Sequence, residues 1–207
     1  MPRMKIFNTL EQATFDTPPV FNSTERKQFF ALPLMLQDAM AGLRTPTNKV
    51  CFLAAVGYFK ARRKFFARNV NSADIDYIAR QLNLSIADVD ITSYTKFACI
   101  HHQRIILDYF GCRPFDAKTM AFAKSEIAML APVQYQPKQI LIEIIQILSR
   151  EKIEVPSYNV LADLIITAIS QHKHTLSNII HHGLNETQRS KLDALLEKEN
   201  DNTTTEG

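Results

Sequence analysis

Segment after segment of this chain places its apolar residues three and four apart, the spacing of helices that bury one face. Asn22 with Glu25 three positions on predicts a capped helix from near Ser23 to near Leu32-Pro33, followed by a short one over Leu34 to Gly42. Thr45-Pro46 opens a longer helix reaching about Phe66, with Val50, Leu53, Ala54, Gly57 and Tyr58 on its apolar side. Ser72 starts another through Gln81-Leu82, and Asn83-Leu84-Ser85 breaks it before Ile86-Ala87-Asp88-Val89. From Ser93 to Phe110 the chain is apolar on nearly every side, which predicts a largely buried helix ending at Gly111. Asp116 caps one more, to about Leu130.

Pro132 and Pro137 bracket a linker, after which Ile140 to Leu148 is rich in β-branched residues. A lone strand there would be an orphan edge, so a buried helix is the more economical reading. Tyr158, Leu161, Ile165, Ala168 and Ile169 come next at helical spacing, then a short helix over Leu176 to His182. Asn185 with Gln188 caps a last helix using Leu192, Leu195 and Leu196. The expected architecture is all-α, in tandem helical modules with helix-turn-helix-like elements. Residues 1–22, with Asp16-Thr17-Pro18-Pro19-Val20, are expected as an extended N-terminal segment. Residues 23–131 form a first helical domain, 132–198 a second and smaller one, and 199–207 a polar tail or cut linker.

At 207 residues and 46% hydrophobic content the chain is long enough to bury one sizeable core or two modest ones, and five glycines favour helices over turn-rich sheets. No window approaches the roughly 18 apolar residues of a membrane span, and Met1-Pro2-Arg3-Met4-Lys5 leads into no signal core. A cytoplasmic protein is expected. Cys51, Cys99 and Cys112 are far apart among apolar neighbours and read as buried free thiols.

Charge alters this picture at one place. The net charge is only +3, yet between Asp38 and Asp74 there is no acidic residue, while Arg44, Lys49, Lys60, Arg62, Arg63, Lys64 and Arg68 all fall there. The excess culminates in Tyr58-Phe59-Lys60-Ala61-Arg62-Arg63-Lys64-Phe65-Phe66, a concentration that points to phosphate as a partner. Cations on a last helical turn also complement the helix dipole, a purely structural explanation for part of the cluster. The string Ile78-Ala79-Arg80-Gln81-Leu82-Asn83-Leu84-Ser85 has the pattern of a helix-turn-helix: Ala79 permits close crossing, Leu82 and Leu84 close the core, and Ser85 caps the segment after it.

Glycine-rich phosphate loops, GxSxG, HExxH and EF-hand spacings are missing. Asp74/Asp76 and Asp88/Asp90 sit near helix starts, where carboxylates are expected on dipole grounds. His101-His102, His172-x-His174 and His181-His182 lack zinc-finger spacing, so neither a metal nor a cofactor is expected.

The order of motifs resembles the N-terminal region of bacterial replicative transposases of the Tn-three (ampicillin transposon) family. The likeness runs from Phe29-Phe30-Ala31-Leu32 through Asn48-Lys49-Val50-Cys51-Phe52-Leu53-Ala54, Tyr58-Phe59-Lys60 and Ile78 to Leu82. Its most specific stretch is His102-Gln103-Arg104-Ile105-Ile106-Leu107-Asp108-Tyr109-Phe110-Gly111-Cys112-Arg113-Pro114-Phe115; Val155-Pro156-Ser157 and Leu184 to Leu196 also fit. Two places depart from the family: Cys112 stands where an aromatic is common, and Phe97 to Ile100 is more apolar than the usual polar-basic run.

The resemblance implies sequence-specific binding to the terminal inverted repeats of a mobile element, by a non-catalytic region whose strand-transfer domain lies downstream. It also implies a nucleoid-associated state when bound, and self-association through the remainder of such a protein. Lys60, Arg62, Arg63, Lys64 and Arg68 are the expected phosphate contacts. Lys96, His102, Arg104 and Arg113 form a second contact surface, with Arg104 the first choice to reach a base edge. The alternative from another class is a helical protein-interaction module docking through exposed Phe59, Phe65 and Phe66. RNA binding shares the electrostatics but lacks the RRM, KH and OB signatures.

Overall fold

The protein is described by a computed structural model that covers residues 5–134, 136–188 and 190–191. Its helices are α1 (Thr9–Asp16), α2 (Ser23–Phe29), α3 (Gln37–Ala41), α4 (Pro46–Arg62), α5 (Ser72–Gln81), α6 (Lys96–Phe110), α7 (Ala117–Leu130), α8 (Pro137–Arg150) and α9 (Tyr158–Gly183). The all-α expectation holds. Among the described residues the β contact is an isolated parallel bridge between Arg113 and Ile153.

Capping accounts for most helix starts. Asn22 accepts from the backbone of Thr24 and Glu25 while the Glu25 carboxylate takes the Asn22 N–H, and Thr45, Thr95 and Asp116 cap α4, α6 and α7. Gly111 ends α6 in the left-handed conformation at φ 59°. Asn185 and Gln188 exchange the expected capping hydrogen bonds, while Leu192, Leu195, Leu196 and the 199–207 tail lie outside the described residues.

Several expectations are corrected. The N-terminal segment is not wholly extended: Asn8 and Glu11 form a capping box that starts α1, and the Pro18-Pro19 pair only ends that helix, with Thr17 extended at its C-cap. The separate helix expected over Leu176 to His182 is the second half of a continuous 26-residue α9, since 170–175 is polar but contains neither glycine nor proline. Beyond the turn at Asn83, the second arm of the expected helix-turn-helix is a single 3-10 turn, Ile86–Asp88. A further 3-10 turn, Ile91–Ser93, precedes the next full helix, α6.

Two hydrophobic cores organise the molecule. In the first, α4 is the axis, packed by α2, α5 and α6, and from Val50 to Phe59 only Ala55 escapes full burial. In the second, α7, α8 and α9 pack around Ile127, Ile140, Leu141, Ile144, Leu161 and Ile165, joined by Ile6 and Phe15 from the N-terminal segment. Cys112 still packs on the first core, and Phe115 and α7, expected with the first domain, pack with the second. The stripe Ala123, Ile127 and Ala131 commits α7 to the second core, and the Pro132 to Pro137 stretch is only the connection between two packed helices.

Gly57 shows how tightly the first core closes. A Cβ there would lie 2.4 Å from Cδ1 of Phe30 and 3.2 Å from the Phe29 carbonyl oxygen. Phe30 is held by Phe21, Tyr58 and Tyr77 and has nowhere to go. Helix propensity would favour Gly57→Ala by about 1 kcal/mol, but overpacking costs about 1 to 3 kcal/mol. Urea denaturation of Gly57→Ala is therefore expected to show a net loss of stability of up to about 2 kcal/mol.

Candidate nucleic-acid interface

Helix α4 stops at Arg62 because Arg63 turns left-handed (φ 53°), its N–H still donating to the Phe59 carbonyl. The expected basic run is split by that turn. The guanidinium of Arg63 lies over the Phe110 ring, 5.1 Å from its centre, and its carbonyl accepts from the Val155 N–H at 2.8 Å. Lys64 turns inward. Its side chain is 7% exposed, and its ammonium donates to Asp16 Oδ1 at 2.6 Å and to the Pro156 carbonyl at 3.1 Å, 3.8 Å from the centre of the Phe15 ring. Burial lowers its pKa, opposed by the Asp16 carboxylate.

Lys64, expected as a phosphate contact, is instead buried and paired here, and leaving Asp16 and Pro156 would strip its charge of those partners. Lys60 is exposed, with its ammonium donating to the Gln28 carbonyl at 2.8 Å. Arg62 faces solvent at the rim of an apolar cleft of about 480 Å³, lined also by Leu10, Phe15, Ile145 and Val155. Arg113 belongs to the same seam, its guanidinium donating to the Glu151 carbonyl at 3.3 Å.

The second expected surface is also sorted by burial. His102 is 1% exposed, wedged edge-on to Phe52, with its Nδ1 2.9 Å from the Tyr94 hydroxyl. Burial raises the Tyr94 hydroxyl, so it keeps its proton and donates; burial, with His101 beside it, lowers His102 to about 4, so the neutral ring accepts. His102, expected on the contact surface, is a core residue. Lys96 and Arg104 are exposed. Arg68 joins them: its guanidinium donates to the Tyr94 carbonyl at 3.4 Å, beside the first turn of α6. The preceding Ala67 is held left-handed (φ 50°), and its carbonyl lies 3.6 Å from the Cys99 sulfur of α6.

Helix α6 therefore has two faces. Cys99, His102, Ile106 and Leu107 point to the core, while Phe97, Ile100, His101, Arg104 and Asp108 point out. Phe97 and Ile100 were expected inside; the polar residues at 101, 104 and 108 share their helical face and are the signal that places it outward. Residues 96–107 carry no carboxylate. In the preceding turn Asp90 is folded onto its own backbone, accepting from the N–H and hydroxyl of Thr92.

Other chemistry is sparse. Cys51 and Cys99 are buried and Cys112 half-buried, and burial pushes the Cys51 thiol up to about 12, away from reactivity. Among the described residues no three His, Cys, Asp or Glu side chains converge as a metal centre requires, and no helix is long and apolar enough to cross a membrane.

The class defined by these observations is an all-α, two-core protein with an outward basic helix. A family model described as "Domain of unknown function (DUF4158)" matches residues 6–168, and the chain belongs to that family, which is found in transposase-associated proteins. A comparison with curated proteins finds no match.

The buried histidine sets a pH dependence. An unfolded histidine binds a proton near 6.5 whereas folded His102 does so only near 4, so the unfolded state gains protons first and stability is lost as pH falls through that window. The loss attributable to His102 is roughly 3 kcal/mol at most. Denaturation between pH 7 and pH 4 should show His102→Gln, less stable at neutral pH, losing less stability on acidification than the parent chain.

Proposed function

We propose that this chain is a sequence-specific double-stranded DNA-binding region that recognises the terminal inverted repeats of a mobile element, as the non-catalytic N-terminal part of a Tn-three-type transposase. The observation that carries the reading is the outward face of α6. Lys96, His101 and Arg104 lie on it or at its edge, Arg68 stands beside its first turn, and no carboxylate interrupts before Asp108. Membership in a family found in transposase-associated proteins supports the same reading.

Arg68, Lys96 and the exposed Lys60 and Arg62 supply phosphate contacts, which set affinity and register; Arg104, two turns into α6, is the base-reading side chain. Catalysis is assigned to a downstream domain of the transposase. In this reading the protein acts in the cytoplasm, on the nucleoid.

The rival, a protein-interaction module, loses its original support, since Phe59 and Phe66 are buried and Phe65 half-buried. It gains another in α9, where exposed Leu176, Ile179 and Ile180 continue the buried stripe of Ile165 and Ile169.

Fluorescence anisotropy with a terminal-repeat duplex and a scrambled one, across a salt series, tests the proposal. The reading expects tight, salt-sensitive binding that prefers the repeat. Arg104→Ala should cost about 1 to 3 kcal/mol on the repeat and relax the preference. Absence of duplex binding at low salt, with a concentration-dependent mass in sedimentation, would instead favour the rival.

A further inference from the structure

Resting on the DNA-binding reading, we propose that Phe97 and Ile100 form an apolar reading edge that packs on thymine 5-methyl groups in the major groove. Phe97 is 84% exposed in the first turn of α6, and Ile100, one turn later on the same face, is 51% exposed. Neither can retreat into the core. Thr95 caps the helix by accepting from the Ala98 N–H, and Cys99 and His102 fill the inner side, with His102 fixed by Tyr94. The exposure is a consequence of how α6 is anchored.

Charge around this patch selects its partner. Lys96 precedes Phe97, Arg104 lies one turn beyond Ile100, and Arg68 approaches from the neighbouring loop. An apolar edge within such a cationic frame matches a surface that offers methyl groups between two rows of phosphates. The major groove is wide enough for a helix and presents the thymine methyl as its apolar feature. Side chains three apart on a helix are roughly 5 to 6 Å from one another, and stacked base pairs rise about 3.4 Å, so the pair reaches neighbouring base steps. The edge therefore prefers sites with adjacent thymines under the first two turns of α6.

Uracil substitution isolates the methyl group. The chain is used to enrich duplexes from a random-sequence pool, and the thymines of the recovered site are then replaced one at a time by uracil, which removes only the methyl. One or two positions should weaken binding about four-fold each, the factor for burying one such group. Phe97→Ala or Ile100→Ala should weaken binding to the thymine duplex while leaving the uracil duplex nearly unchanged. Both residues are exposed, so folding is expected to persist, and circular dichroism checks this. Equal losses on the two duplexes, or none, would overturn the methyl-reading edge while leaving DNA binding intact. Failure of the parent chain to bind any duplex at low salt would instead remove the DNA reading itself. Retained DNA binding in both variants, with loss of binding to an acidic peptide, would assign the patch to a protein partner.

Discussion

The ammonium of Lys64 holds the two cores in register. It sits at the seam between them, donating to Asp16 at the end of α1 and to the carbonyl of Pro156 just before α9. The same Asp16 oxygen accepts from the Tyr158 N–H, so one carboxylate binds the first core's lysine and the start of α9 together. Around this point the chain adds the Val155 to Arg63 hydrogen bond and the Arg113 to Ile153 bridge. Glu154, its pKa raised by burial, accepts from the Phe115 N–H in the same seam. A charge so enclosed is costly to strip of its partners, and that cost makes the arrangement specific.

That constraint explains why a basic run does not become a basic face. Five cations in nine residues must point in several directions when the helix carrying the first of them ends in a left-handed turn. One is consumed by the seam, one stacks on an aromatic ring, one holds the end of α2, and the remainder face water. In the proposed reading, the surface left for a polyanion lies instead on α6 and the Arg68 loop. There the buried Tyr94 to His102 contact fixes the helix from behind.

Helix capping and apolar spacing made much of the architecture legible beforehand, because asparagine, threonine and aspartate at helix starts act over three residues and need no tertiary information. Placement was less legible. A lysine beside aromatics reads as a solvated cation until Asp16, 48 residues away in sequence, is brought to it. His102 looked like a partner of Arg104, but residues two apart on a helix diverge, and one enters the core while the other leaves it. Phe97 and Ile100 looked buried because composition counts apolar residues without their bearing. Prolines mark chain direction, not which core a helix joins, so Pro132 carried no information on where α7 packs.

Hydroxyl-radical footprinting of the chain, free and with a duplex bearing the terminal repeat, tests the central claim that the outward face of α6 is the DNA interface. The account predicts that Phe97 is strongly modified in the free protein and protected by the duplex, with Ile179 and Ile180 of α9 unchanged. Protection confined to α9 or to the Arg62 cleft, with Phe97 as reactive as before, would contradict it.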